Sequence, residues 1–362
     1  MPNPEEQLSD QLIYRARPTV HVDGVASSVA KELLLAMRMT EHEGGLSELE
    51  LRFANLANRS LGGALVFEDE AIFKFGSDVV IYSGDEQRPQ AIFSGKVTAI
   101  EAEFARHGSP ELVVFAEDAL QRARMNRRTA MHRDVSIADL ARDVAQRAGL
   151  RPVVTGFSDG IGPQMQLNES DLAFLRRILR AYDGDLQVVD AELQVAPRSE
   201  VQRSSVNLAM YGQLLRVRVT ADLADQASEV TIAGWDPERG DRIAYVSRGR
   251  ALGPGSGRKG AEVLTRALGE RSEHIGHVAA INDTEARAMA DASYDQRARR
   301  FVVLEGTSDG NPAIRVGTHV TIEGMSDRFD NVFYVTRACH RFDLSLGYLT
   351  DFEGESAYLG VA

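Results

Sequence analysis

Short apolar runs separated by turn-forming residues follow one another from Pro18 to about Glu117. Glycine, which adopts turn conformations without steric cost, stands between several of the runs, as in Gly76-Ser77-Asp78. Many short strands in a row, with no helical crossover between them, predict an antiparallel barrel or sandwich. The predicted strands are 19–24, 31–40, 49–53, 71–75, 79–83, 90–104 and 111–115.

The pattern then changes to helical spacing. Ser136 is placed to cap a helix, with Asp139 at the capping-box position and Gly149 as the end of the helix. Ser170 begins a second helix whose apolar residues fall on one face. A hairpin with strands 186–189 and 193–195 follows. We expect this section to form a smaller α+β domain.

Strand signals return after a polar stretch, 197–205, which we interpret as a linker. A Gly-rich loop at 253–260 and two helices, one at about 261–270 and one beginning near 283, interrupt the later strands. These strands are 214–220, 229–234, 242–247, 301–305, 316–323, 332–342 and 348–352. The predicted fold is therefore mainly β with α+β: a β section, an α+β section, and a second β section with a helical insertion at about 250–300.

Charge and apolar content narrow the classes of partner. The formal net charge is -12, which argues against broad electrostatic capture of nucleic acid or anionic lipid. No apolar run is long enough to span a membrane, and the acidic start of the chain lacks the apolar core of a secretory signal. One basic stretch is interpreted as a solvated or protein-facing charge run, because no aromatic residues are interleaved with it: Arg122, Arg124, Arg127, Arg128 and Arg133.

Candidate chemistry is sparse. Cys339, the single cysteine, is predicted to be a buried strand thiol rather than a catalytic partner of its neighbour His340. His274 and His277 lack the spacing of a zinc-binding helix and are predicted to lie in an exposed loop. Residues 255–260 match GxGxxG but follow apparently antiparallel strands, so a flexible loop is favoured over a phosphate cradle. No catalytic, cofactor-binding or metal-binding residue is predicted.

Several ordered segments carry a resemblance to a known family. They include Phe93-Ser94-Gly95-Lys96-Val97, Glu117-Asp118, the stretch 168–177, Ile232-Ala233-Gly234-Trp235-Asp236, the stretch 337–343, and Gly347-Tyr348-Leu349-Thr350-Asp351-Phe352. Together they resemble the phage late control protein D family and the hub portion of VgrG-like spike proteins, over about residues 15 to 355. The positions chosen as structural markers of this resemblance are Gly95, Asp118, Asp171, Gly234, Trp235, Asp236, Gly347, Tyr348 and Phe352.

The resemblance implies a structural baseplate hub of a contractile injection system or phage tail. It implies two tube-like antiparallel β-barrels per subunit, with domains 1–128 (first barrel), 129–206 (α+β domain) and 207–362 (second barrel with its helical insertion). It also implies a homotrimer, whose six barrels form a pseudo-sixfold ring that adapts the sixfold inner tube to the threefold spike. The implied partners are the inner tube protein, a spike protein and other baseplate components. Such a protein would be cytoplasmic during assembly and then part of the particle, and no cofactor is implied.

The resemblance leaves some alternatives open. The sequence ends about ten residues after Phe352, so we expect the spike to be a separate chain, which favours a phage tail or extracellular particle over a fused type VI spike. For Trp235, core packing is favoured over a subunit contact. The alternative to a hub is a hub-associated hydrolase or nucleotide-binding protein, which would need a convergent acid/base pocket or a phosphate near Gly255.

Overall fold

The structure is a computed structural model that describes residues 17–56, 64–83, 90–237 and 239–360. Strands hold 49% of the residues and helices 19%, and most strand pairs are antiparallel, so the predicted mainly β fold is confirmed. The prediction that the chain begins without a secretory signal concerns residues 1–16, which lie outside the described residues.

The first β-unit wraps strands around one apolar core. In β4, Leu49, Leu51 and Phe53 are buried at alternate positions, as expected for a strand with one face toward a core. The strands are hydrogen-bonded in the order β3-β4-β7-β6-β5-β1-β2, all antiparallel. The elements are β1 (Thr19–Val22), β2 (Val25–Ala26), α1 (Ser28–Leu33), β3 (Leu34–His42), β4 (Glu48–Ala54), β5 (Asp78–Ser83), β6 (Gln90–Glu103) and β7 (Glu111–Glu117).

The predicted strand 31–40 is wrong at its beginning. The side chain of Ser27 accepts a hydrogen bond from the backbone N–H of Ala30 at 3.1 Å and so caps α1. The chain becomes extended only at Leu34.

The predicted strand 71–75 is also wrong, because this segment forms bends and a turn. The ring of Phe73 packs against those of Phe53 and Phe67, with centroids 5.0 and 5.6 Å apart. Inward packing of this aromatic side chain replaces strand pairing.

The middle unit follows the predicted α+β pattern. Ser136 and Asp139 form the capping box of α3, and Gly149 ends this helix with φ 71°. Ser170 caps α4 by accepting from Ala173 N. The elements are α2 (Gln121–Met125), β8 (Arg127–His132), β9 (Val135–Ser136), α3 (Ile137–Ala148), β10 (Arg151–Val154), β11 (Gly160–Ile161), β12 (Gln164–Ser170), α4 (Asp171–Ala181), β13 (Gly184–Val189) and β14 (Glu192–Pro197).

The second β-unit contains an inserted layer. Within the insertion β17 pairs with β18 antiparallel and with β20 parallel, and α6 covers these strands with the predicted face, including Met289 and Tyr294. The elements are β15 (Ser204–Ala209), β16 (Leu214–Ala221), β17 (Glu229–Asp236), β18 (Asp241–Ser247), β19 (Arg258–Lys259), α5 (Gly260–Leu268), β20 (Ser272–Ala280), α6 (Asp283–Arg299), β21 (Val302–Asp309), β22 (Thr318–Glu323), β23 (Asn331–Asp343), β24 (Gly347–Ser356) and β25 (Tyr358–Leu359).

Two loops of this region differ from prediction. The expected loop around His274 is part of strand β20, which is held by parallel pairing to β17. The Gly-rich loop is fixed rather than flexible: Asn331 accepts from Ser256 N at 3.0 Å and donates to Ser256 O at 2.9 Å. A Cβ on Gly257 would lie 2.2 Å from the carbonyl oxygen of Leu359, so the backbone here is packed against its own chain.

Strand β23 joins the two β-units. Its first residues pair with β22 of the second unit, and residues 337–343 pair with β3 of the first unit. A register shift between Val335 and Arg337 in its pairing with β24 lies between these two stretches. The result is one 13-stranded sheet that runs through both units.

Replacing Gly234 by alanine should lower the free energy of unfolding by about 3 kcal/mol, because the new Cβ would lie 2.0 Å from the backbone oxygen of Ala280. Urea unfolding measures the change. Gly160→Ala is the control, since no atom lies within 4 Å of the added Cβ, and a shift within about 0.5 kcal/mol is expected. Equal stabilities for the two variants would contradict the β17–β20 packing described here.

Candidate functional site

A buried ionic cluster lies where the three units meet, and we call it the ionic junction. Its carboxylates come from the turn after β3, from the middle unit and from β24, and its two arginines come from the turn after β14 and from the end of α6. The junction consists of Glu43, Asp183, Arg198, Arg299 and Glu355.

Arg198 links the first and second β-units. Its Nη2 donates to Glu355 Oε1 at 2.6 Å, and its Nε donates to Glu43. The guanidinium carbon lies 3.5 Å from the ring centroid of Tyr334, a cation–π arrangement. The Arg198 side chain is only 4% exposed, so these partners replace nearly all of its hydration.

Arg299 completes the junction from the inserted helix. Its two terminal nitrogens donate to the two oxygens of Asp183, one of them at 2.8 Å, while its Nε lies 3.2 Å from Glu355 Oε1. One oxygen of Glu355 is thus shared by two guanidinium groups. The forked geometry of arginine suits this bidentate contact.

The electrostatics of the junction favour the charged forms of its two arginines, whereas burial raises the pKa of Glu43 despite the nearby charge of Arg198. Burial disfavours the cation, but Glu355 and Glu43 outweigh burial and raise the pKa of Arg198. Burial also opposes the charge on Arg299, yet Asp183 and Glu355 raise its pKa. Both arginines therefore remain charged, and the three elements that supply their partners are held in one arrangement.

A second buried ion pair reinforces the seam between the β-units. Arg315 donates through Nε to Glu41 Oε2 at 2.7 Å, and the carboxylate also accepts from Val316 N at 3.3 Å. Burial acts to raise the pKa of Glu41, but the charge and hydrogen bond of Arg315 hold it below its ordinary value. Nearby, burial and Arg315 lower the pKa of His340 to about 4, so this histidine is neutral at neutral pH.

Asp118, a marker of the resemblance, ties the turn after β3 to α2. One carboxylate oxygen accepts from Ser47 N at 2.7 Å and the other from Leu120 N at 2.8 Å. The residue is buried, and burial raises the pKa of Asp118 to about 6 despite these two hydrogen bonds.

Asp171, at the start of α4, also connects separate elements through its carboxylate. It accepts from Arg147 Nε at 2.8 Å and from Gln166 Nε2 at 3.0 Å, and Arg128 Nε lies 3.3 Å away. Burial acts to raise the pKa of Asp171, but these partners, Arg147 foremost, keep it lowered. The carboxylate anchors the ribbon of β8 and β12 to the helix.

The glycine markers lie where a side chain has no room or where the backbone turns. A Cβ on Gly95 would lie 2.3 Å from Glu117 O. Gly234 is equally crowded by β20, and Gly347 has φ 74° in the turn between β23 and β24. These positions serve packing and turn geometry.

The aromatic markers of β24 are buried in different cores. Tyr348 lies in the core of the first β-unit, with its hydroxyl 2.7 Å from His340 Nδ1. Phe352 lies in the core of the second, where its ring fills the space beside Gly306. Strand β24 therefore contributes to both cores.

The favoured core-packing interpretation of Trp235 is wrong, because this side chain is 58% exposed. Its neighbour Asp236 points the other way, as alternation along a strand requires, and accepts from Arg239 N at 3.0 Å. The nine markers are distributed over β6, the turn before α2, α4, β17 and β24, and do not form one site.

Other candidate residues also have structural roles. Cys339 is buried, as predicted, and accepts a weak hydrogen bond from Thr40 Oγ1 at 3.7 Å. In the basic stretch, Arg122 and Arg127 donate to backbone oxygens and Arg124 pairs with Glu117 at 2.5 Å, while all three residues remain exposed.

Within the described part of the chain, no group of three or more His, Cys, Asp or Glu side chains is placed to hold a metal ion. Among the same residues, no helix is long and apolar enough to cross a membrane.

Sequence reasoning missed the ionic junction altogether. Arg198 was placed in a polar linker, whereas it begins a 3-10 turn and is buried. Its acidic partners lie 155 and 157 positions away in the sequence, beyond any local pattern. The sequence does show several charged residues around 198–203, but this local pattern does not identify the ion-pair partners of Arg198.

A family model described as the Alg8 N-terminal domain matches residues 62–343, and the chain belongs to this family. No curated protein matches the sequence.

Solved structures share the fold over nearly the whole chain. A 43 kDa tail protein of prophage MuSo2 from Shewanella oneidensis has a TM-score of 0.69 at 13% identity, covering 93% of this chain and 97% of that one. A tail protein from Neisseria meningitidis has a TM-score of 0.65 at 14% identity, covering 94% and 99%. An E. coli protein described as a component of the type VI secretion system has a TM-score of 0.63 at 11% identity, covering 95% and 79%. Identities this low establish a shared fold alone.

Replacing Arg198 by methionine should lower the free energy of unfolding by about 3 kcal/mol or more, because Glu43 and Glu355 lose a buried partner. Urea unfolding measures the loss. The control is Arg248→Met, which removes an exposed arginine paired with Glu229 at 2.7 Å and should cost at most about 1 kcal/mol. If the two variants lost equal stability, the ionic junction would not be the strong constraint described here.

Asp118 should make folding stability depend on pH. Because its pKa is raised from 3.8 to about 6 in the folded state, its contribution is fully present at acidic pH and is lost as pH rises through about 6. Asp118→Asn cannot ionise, so the wild-type protein should lose about 2.5 kcal/mol relative to this variant between about pH 4 and about pH 7.5.

Urea unfolding across this pH range tests the prediction. Asp159→Asn, at an exposed position, controls for the loss of one acidic group. A constant difference in stability between wild type and Asp118→Asn at all pH values would contradict it.

Proposed function

We propose that this member of the Alg8 N-terminal domain family is a structural hub protein in the baseplate of a contractile injection system or phage tail. In this proposal the chain forms a homotrimeric ring that adapts a sixfold inner tube to a threefold spike. Its partners are the tube protein, the spike protein and other baseplate components. The role is mechanical and requires no catalytic residue or cofactor.

The observation that carries the proposal is the fold. Two β-units within one chain share a continuous sheet through β23, and the whole arrangement matches tail proteins and a type VI secretion component along more than nine tenths of this chain. Two similar units per chain in a threefold assembly give six positions around the axis, which matches the symmetry change required between tube and spike.

The edges of the sheet support assembly into a closed ring. Among the described residues, the hydrogen-bonded order ends at β2, β15 and β16. Unpaired strand edges favour pairing with another chain, and a cyclic arrangement satisfies them symmetrically without open-ended growth. We place subunit contacts at these edges.

The region around β16 has the apolar character of a contact surface. Tyr211 is 92% exposed and Leu215 49% exposed. A cleft of about 300 Å³ beside them is lined by apolar side chains that include Val217, Val219 and Phe329. Exposed apolar groups concentrated at a strand edge are typical of an interface.

The ionic junction suits a part that bears load. It connects the first β-unit, the middle unit and the second β-unit through buried charges, so a force on one unit reaches the others without a flexible linker. We further propose the domains 1–128, 129–206 and 207–362. They match the three units except at their borders, since α2 and the start of β8 belong to the middle unit and β15 begins the second β-unit at Ser204.

The mass of the purified protein in solution tests the proposal. We expect a trimer of about 119 kDa, three times the 39.7 kDa chain, alone or in the presence of the spike protein. Leu215→Glu should weaken trimer formation by about tenfold or more, because a charge would be buried beside β16. Light scattering over a concentration series measures both.

Leu268→Glu serves as the matched control, since Leu268 is 74% exposed at the end of α5 and belongs to none of the edge strands. A protein that stays at 39.7 kDa at every concentration, with and without the spike protein, would overturn the hub proposal.

A further inference from the structure

The continuous sheet of this chain ends in two different surfaces. Its hydrogen-bonded path runs from β16 in the second β-unit to β2 in the first. A contact between two copies of the same surface is isologous and closes as a dimer, whereas a threefold ring requires a contact between two different surfaces. A trimer built at the sheet edges therefore joins unlike ends.

At the β16 end the second β-unit is open. Strands β15 and β16 follow one another in the sequence, yet among the described residues only a single bridge, between Met210 and Leu214, joins this part of the chain to the start of β16. The apolar cleft of about 300 Å³ lies here, and none of its described lining residues is charged. Val217, Val219 and Phe329 are half-buried in it, so apolar surface remains for a partner. Pockets of roughly this volume accept an aromatic side chain.

The β2 end of the sheet presents an aromatic side chain. Phe75 is 67% exposed, and Val25, on β2 itself, is also exposed. Asp23, in the turn that leads into β2, accepts from Asp78 N at 2.9 Å and from Ser77 Oγ at 3.2 Å. These bonds hold the turn that carries Phe75 against the turn before β2. A fixed apolar side chain therefore lies beside the free edge of β2.

The two ends carry opposite charge. The segment 68–70 consists of three exposed acidic residues, and Lys74 is the one cation between it and Phe75. Strand β16 contains Arg216 and Arg218, both exposed, and no acidic residue. The carboxylate that pairs with Arg218, that of Glu305, is 4.0 Å away and both side chains are exposed, so this ion pair is weak. Opposite charges on two surfaces favour their encounter.

We propose that the Phe75 turn of one copy docks in the cleft beside β16 of the next copy, head to tail around the ring. In this contact the phenylalanine ring occupies the apolar cleft, and Val25 and Leu215 add apolar area beside it. The acidic segment 68–70 then lies on the side of Arg216. The occupant of the cleft is thus a second copy of this chain, and each copy offers one aromatic side chain and one cleft.

The inference rests on the proposed hub function and names the two surfaces that meet in its ring. A wild-type protein that stays a single chain, with and without the spike protein, would overturn both the ring and the docking. A trimer that is held together by other surfaces would overturn the docking alone.

Cysteine crosslinking of the full-length protein separates unlike from like surfaces. Lys74→Cys, next to Phe75, and Gln213→Cys, at the cleft, each place a thiol at an exposed position, whereas the native Cys339 is buried. With a short bismaleimide, we expect the doubly substituted protein to give linked dimers and trimers, and neither single variant to be linked. Linked dimers of a single variant, or an intact trimer of the double variant without links, would overturn the docking.

A charge on the docked ring should disrupt the contact. Phe75→Glu should weaken trimer formation by about tenfold or more, because the carboxylate would enter an apolar cleft. The matched control is Phe104→Glu, which alters a phenylalanine that is 64% exposed in the turn after β6 and should change trimer formation by less than about twofold. Light scattering over a concentration series measures both variants.

Thermal unfolding of each variant checks that the fold is intact. If Phe75→Glu is poorly folded, the crosslinking of the double cysteine variant, which keeps Phe75, decides the question. Equal trimer formation by the wild type and a folded Phe75→Glu protein would overturn the docking. Equal weakening by Phe104→Glu would overturn it as well, since the loss would then not depend on the cleft.

Discussion

The guanidinium group of Arg198 imposes the main constraint on this structure. A charge removed almost completely from water is tolerated only when its partners are held in place, and these partners come from the first β-unit and from β24. Because Glu355 is also shared with Arg299, the position of the inserted helix depends on the same contact. The three units therefore cannot shift independently without exposing or isolating a buried charge.

The shared strand β23 acts together with this junction. The strand pairs with β22 near its start and with β3 near its end, so the backbone joins the two β-units while the ionic junction fixes the middle unit beside them. The proposed hub role, in which the protein connects a tube to a spike, requires this kind of rigidity. Among the described residues, β15 and β16 have unpaired edges that neighbouring chains can reach in the proposed ring.

Local patterns predicted the local structure well. The capping box of Ser136 and Asp139 and the cap at Ser170 were found because their signals lie within a few residues of each other. The strand predictions were wrong where a local contact outweighed the apolar pattern. At the start of the predicted strand 31–40, for example, the Ser27 cap stabilises a helix instead. Whether the side chain of Trp235 is buried depends on residues far away in the sequence, and the alternation of side chains along a strand does not reveal this.

The pairing of β23 with β3 and the partners of Arg198 join residues far apart in the sequence, and no spacing rule brings them together. The family resemblance predicted the overall fold better than residue spacing did, because it rests on the order of many segments along the chain. Apart from the exposed Trp235, its marker residues are packing, turn and anchoring positions, distributed over both β-units and the middle unit.

Electron cryomicroscopy of the purified protein with its spike protein, viewed along the assembly axis, tests the central claim most directly. The account predicts a ring with threefold symmetry, in which six β-rich lobes surround a channel and each chain supplies two lobes joined by β23. Particles of a single chain, or a ring in which each chain contributes one lobe to a strict sixfold arrangement, would contradict it.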